Sequence, residues 1–132
     1  MREILFRGKD IDNGIFVTGY LIGNGTGKKY ITLVGSHCKE VIPETIGQYT
    51  GLTDKNGRRI FEGDIVKTKK YGKIIGHSNV RDFDIFVVIY EPAMFRLENT
   101  HRAFNLVGKC GKGIDYEVVG NIYDNPELLK GE

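Results

Sequence analysis

The chain of 132 residues has no tryptophan, three prolines and two cysteines. Cys38 and Cys110 lie far apart and neither sits in a CxxC pair. No segment approaches the roughly 18 apolar residues that a membrane span requires. The opening Met1–Arg7 (MREILFR) has no apolar stretch of the signal-peptide kind. These absences predict a cytoplasmic protein without a membrane partner, whose two cysteines are buried, reduced thiols rather than a Cys38–Cys110 bridge. There is also no βαβ alternation, internal repeat or heptad pattern, which excludes doubly wound, solenoid and coiled-coil architectures.

What is present is glycine, at 18 residues, with 40% apolar and 27% charged residues. That composition belongs to a folded domain with many tight turns, and the length suffices for one hydrophobic core. Alternation predicts a strand over Arg2–Arg7, with turn residues over Gly8–Gly14. Ile15–Ile22 (IFVTGYLI) is apolar on both faces and reads as a buried strand, joined through Gly23–Lys29 to a second strand at Tyr30–Val34. Gly35–Pro43 is ambiguous, and Glu44–Tyr49 fits either a strand or a helical turn. Asp54–Gly57 (DKNG) is a hairpin turn, because Asn-Gly supplies positive φ. Strands follow at Arg59–Phe61, Ile65–Thr68 and Tyr71–Ile75, with a turn at Glu62–Asp64. Phe83–Tyr90 (FDIFVVIY) is the most apolar segment and reads as a central strand. Further strands are expected near Ala93–Leu97, Ala103–Val107 and Glu117–Tyr123. Asp124–Leu129 ends as a helical turn, with Asn125 as its cap, Pro126 at the first position and Glu127 at the positive end of the dipole.

These elements predict a mainly β protein: a compact small barrel-like or two-sheet architecture with SH3-like features and a short C-terminal helical turn. The chain reads as a single domain, 1–132, divisible into an N-terminal β subdomain over 1–47 and a barrel-like core over 48–129.

Candidate chemistry is sparse. Gly23–Lys29 (GNGTGKK) has Ile22 and Lys29 where a phosphate-binding loop needs glycine and a hydroxyl residue, and a strand follows where that loop needs a helix. His37, Cys38, His77, His101 and Cys110 lack the close ligand pairs of structural zinc, so no metal or cofactor is expected. Glu62 and Asp64 flank a turn glycine, whereas glycosidase-type carboxylates face each other about 5 to 9.5 Å apart across a substrate. Asp64 is better read as an acceptor for turn amides. An enzyme would have to assemble distant residues, such as His77 or His101 with Asp64; no catalytic residue or small-molecule substrate is inferred.

Charge is more informative. From Lys55 to Arg81 there are eight basic and two acidic residues, a local excess of +6 within a net charge of +2. From Asp115 to Glu132 there are five acidic residues against Lys130. Arg58, Arg59, Lys67, Lys69, Lys70, Tyr71 and Lys73 form a candidate nucleic-acid-binding set, with cations for phosphates and an aromatic for stacking. The competing reading is a solvated hairpin with lysines protecting a sheet edge.

Three segments carry a family resemblance: Met1–Arg7; Gln48–Val66 (QYTGLTDKNGRRIFEGDIV); and Glu117–Leu129 (EVVGNIYDNPELL). In order and wording the chain resembles the YopX family, small proteins of bacteriophages and prophages. It departs from the pattern at Gly8-Lys9-Asp10, where many relatives carry an aromatic. The resemblance implies a largely β fold, a phage or prophage origin within a bacterial host, and self-association; it supplies no catalytic residues. The expected function is that of a phage accessory protein acting by binding, as a homo-oligomer with a protein partner, or else as a nucleic-acid-binding module through the Lys55–Lys73 face.

Overall fold

The computed structural model describes residues 4–23, 25–32, 37–69, 83–91, 94–98, 103–105 and 116–129. The predicted strand at Tyr71–Ile75 lies outside them, as do His77, His101 and Cys110. The strands are β1 (Phe6–Lys9), β2 (Phe16–Gly23), β3 (Lys29–Thr32), β4 (Cys38–Val41), β5 (Gly47–Thr53), β6 (Arg59–Phe61), β7 (Asp64–Lys69), β8 (Phe83–Glu91), β9 (Met94–Glu98), β10 (Ala103–Asn105) and β11 (Tyr116–Asn121). Short 3-10 turns occupy Pro43–Thr45 and Pro126–Leu129. The strands form two antiparallel sheets, ordered β4-β3-β2-β1-β5-β6 and β10-β9-β8-β7-β11. The protein is mainly β, as expected, in the two-sheet form of that expectation; among the described residues neither sheet closes into a barrel. The chain divides into two compact units, Met1–Gly51 and Leu52–Glu132, with the division inside β5.

In the first unit β1 starts at Phe6 and runs into the segment expected to turn, through Gly8 and Lys9. Pairing explains the shift. Phe6–Lys9 are all used against Phe16–Gly19 of β2, and the other edge of β1 is shared between two partners. β5 takes Phe6 and Arg7, while the end of β4 bridges to Asp10 and Ile42 N–H donates to Lys9 O. Gly8 permits this, because a Cβ there would lie 3.0 Å from Val41. Buried Asp10 closes the β1–β2 turn by accepting from Asp12 N–H, with Lys39 Nζ 3.8 Å from its other oxygen. The Thr45 hydroxyl joins the 3-10 turn to β1, donating to Ile42 O and accepting from Lys9 N–H. Ile31 and Val41 are fully buried.

In the second unit the core lies on one face of the five-stranded sheet. Register aligns Val66 with Phe86 and Val118, and Val88 with Leu97. With Ile60 and Tyr116 these form one buried cluster, each aliphatic contributing roughly 1.5–3 kcal/mol by leaving water. β8 is the middle strand, as its apolar run predicts. The expected turns at Asp54–Gly57 and Glu62–Asp64 are both present, with Gly57 at φ 84° and Gly63 at φ 92°. That conformation is strained for other residues. Gly63 also links three segments: its N–H donates to Val88 O and its carbonyl accepts from Ile122 N–H.

The C-terminal turn begins with Pro126 as expected, but the cap differs. The Asn125 side chain turns back and accepts from Asn121 N–H, while Asn125 O accepts from Leu128 N–H. Asn121 Oδ1 in turn accepts from the amides of Tyr123 and Asp124.

Candidate binding surfaces

The predicted basic set is only partly described. Arg58 and Arg59 are exposed at the entry to β6. Arg58 also serves the fold: its N–H donates to Asp54 Oδ1 and its Nη1 lies 3.4 Å from Val118 O. Lys67 stands on β7 directly across from Glu117 on β11. The Glu117 carboxylate lies 3.7 Å from Lys67 Nζ and 3.6 Å from Lys55 Nζ. One acidic side chain of the C-terminal segment therefore sits between two cations of the basic run, within the same chain. Such half-exposed pairs contribute about 0–1 kcal/mol to stability, but each lowers the positive charge offered to a phosphate. Lys69 ends β7; Lys70, Tyr71 and Lys73 lie outside the described residues.

Of the acidic candidates, Asp64 takes a place in the fold. Asp64 is 1% exposed and its Oδ2 accepts from Phe61 N–H at 2.8 Å, which is the turn role expected of it. Asp54, which sequence reasoning assigned only to a turn, does more. Its Oδ1 accepts from the amides of Asn56 and Arg58, and its Oδ2 accepts from Val118 N–H at 2.9 Å. With Lys55 N–H donating to Tyr116 O, the hairpin turn satisfies the outer edge of β11. A single buried carboxylate thus ties the central motif to the C-terminal one.

Among the described residues no three His, Cys, Asp or Glu side chains gather where they could hold a metal ion. His37 is exposed. Cys38 is an exposed free thiol, not the buried one expected, with Sγ 3.4 Å from Thr32 Oγ1; it falls on the open face of an edge strand. Gly25 and Gly27 turn the β2–β3 loop at positive φ, and β3 follows directly, without the helix that a phosphate loop would need.

Sequence reasoning missed the outer face of the first sheet. Register places Lys9 beside Phe16, Arg7 beside Thr18, Thr32 beside Tyr20 and Tyr30 beside Ile22. Glu40 follows beyond Tyr30, and Cys38 beyond Thr32. The Arg7 guanidinium lies over the Phe16 ring at 4.3 Å, and Lys9 Nζ is 5.4 Å from the same ring, in cation–π range. Tyr20 is 56% exposed and Ile22 42%. The strand expected to be buried on both faces is therefore covered on one. A single strand's composition does not distinguish the two cases; Thr18, in line with Tyr20, was the only polar signal.

No helix among the described residues is long and apolar enough to cross a membrane. No curated protein matches the chain. Among solved structures, the crystal structure of protein EF1440 from Enterococcus faecalis is similar, at 23% identity and a TM-score of 0.60, over 98% of this chain and 99% of that one. At that identity the likeness speaks for the fold alone. The family model described as YopX protein matches residues 6–130. That span takes in Gln48–Val66 and Glu117–Leu129, the two segments that Asp54 and Gly63 bind together. On that match the chain belongs to the YopX protein family.

Proposed function

We propose that the chain is an accessory protein of bacteriophages or prophages that works by binding in the bacterial cytoplasm, chiefly by assembling with copies of itself. The observation that supports this reading is the uncovered row on β2, where Tyr20 and Ile22 stand exposed beside Tyr30. Contiguous exposed apolar surface on a folded domain marks an interaction site. Burying one such side chain contributes about 1.5–3 kcal/mol, so a row of them offsets a substantial part of the about 4–15 kcal/mol that association costs. Light scattering coupled to size exclusion, run up to high micromolar concentration, should show a mass above that of one chain. A monomer throughout, with nothing captured from a host lysate, would sink the reading.

A second reading, a nucleic-acid-binding module over Lys55–Lys73, is favoured by the exposed Arg58 and Arg59. It is weakened by Glu117 lying against Lys55 and Lys67.

A further inference from the structure

The outer face of the first sheet has a charge layout as well as an apolar centre. Half-buried Lys9 stands on β1 beside Phe16, and Arg7, only 9% exposed, beside Thr18. Glu40 stands on β4, at the far side of the face, beyond Tyr30 and Ile22. Tyr20, the most exposed aromatic in the patch, lies between these corners. Among the described residues the Glu40 carboxylate has no cationic partner, because its neighbour Lys39 pairs with Asp10. One corner is thus basic, the other acidic, and the middle is apolar.

We propose that this face is an isologous interface with a second copy of the chain, in which Tyr20 packs at the two-fold axis and each Glu40 meets Lys9 of the opposite copy. This rests on the self-assembly reading above and specifies its surface. A two-fold axis lying in the interface and passing between the two corners exchanges them, so every contact occurs twice, as isologous symmetry requires. Opposite charges at exchanged corners make the face complementary to itself. A nucleic acid fits less well, since the Glu40 carboxylate beside Tyr30 would repel phosphate.

Twenty strand residues, four each in β1, β3 and β4 and eight in β2, each covering about 4.8 by 3.3 Å, make a face of roughly 300 Å² per copy. That is below the roughly 800 Å² per partner of standard stable interfaces. The dimer is accordingly a weak one whose population depends on concentration.

The test uses the full chain in three forms: wild type, Lys9→Glu and Glu40→Lys. Dimer mass is followed by sedimentation over a concentration series, with circular dichroism confirming folding. Each variant alone sets like charges against each other twice, and its dimer should weaken by at least about tenfold. Mixing the two variants should restore association, because Lys9 meets Glu40 and the introduced glutamate meets the introduced lysine. A variant that had merely failed to fold could not be rescued by mixing. Tyr20→Glu should abolish the dimer in either background.

If wild type self-associates but the variants match it, self-assembly stands and this interface is wrong. If wild type stays monomeric at high micromolar concentration, both are wrong. Monomeric protein that binds a single-stranded oligonucleotide through Tyr20 would also overturn the proposal, in favour of a stacking surface.

Discussion

At the scale of single residues, the side chains that matter most are carboxylates inside turns. Asp54 accepts three backbone hydrogen bonds, two within its own hairpin and one from Val118, 64 residues away. Hydrogen bonds to a charged acceptor are worth about 1.5–3 kcal/mol, and leaving a buried donor unmet costs about 1–3 kcal/mol more. The Asn56 amide can recover water; the Val118 amide cannot without opening the edge of β11. Asp54→Ala should therefore destabilise the protein by about 3–4 kcal/mol. Asp54→Asn should cost roughly half of that, since one oxygen still serves the hairpin while the amide nitrogen faces a donor. Urea denaturation of the two variants against wild type checks both values, and equal losses would mean that Val118 is not the decisive partner.

At the scale of elements, the joint between β11 and the C-terminal 3-10 turn is closely fitted. The register of β11 against β7 slips between Val118 and Gly120, a bulge that re-aims the chain. A Cβ on Gly120 would lie 2.6 Å from Asn125 Oδ1 and 2.9 Å from Asn125 Cβ. Gly120→Ala should cost about 1–3 kcal/mol by forcing Asn125 off Asn121 N–H. Combined with Asn125→Ala it should cost clearly less than the sum of the two single losses, measured as a double-mutant cycle in urea. Strict additivity would show that the two residues do not collide.

Elements of this kind were largely legible in the sequence. The apolar pair within Arg59–Phe61 marks β6 to its bounds, the apolar run of β8 marks it as central, and Asn-Gly and Glu-Gly-Asp mark both glycine turns. The outer face of β2 was not legible. Phe16, Tyr20 and Ile22 are as apolar as Val17 and Leu21, so strand periodicity cannot separate a covered face from an open one. The ends of β1 were missed for a related reason: Gly8 and Lys9 look like turn residues until β2, β4 and β5 claim their backbone groups. The long-range duty of Asp54 was equally hidden, because spacing along a chain says nothing about which amide a turn will meet.

At the scale of the whole molecule, charge decides whether the basic run can bind a polyanion. A net charge of +2 supplies little long-range attraction, so affinity would have to come from the local excess over Lys55–Arg81. If Arg58, Arg59, Lys67, Lys69, Lys70 and Lys73 each neutralise one phosphate, log affinity should fall against log salt with a slope of about −4 to −5. Replacing Lys67, Lys69 and Lys70 by Glu should abolish binding. Glu117 gives the sharper handle, because it lies against both Lys55 and Lys67. Glu117→Gln removes a competitor for those cations without touching them, so it should tighten oligonucleotide binding and steepen the salt slope. Fluorescence anisotropy with a labelled oligonucleotide at a series of ionic strengths reads both effects. Binding that ignores salt, or an affinity that Glu117→Gln leaves unchanged, would place any nucleic-acid contact elsewhere. It would also leave Lys55 and Lys67 with the role they have in the fold, pairing β11 to the hairpin and to β7.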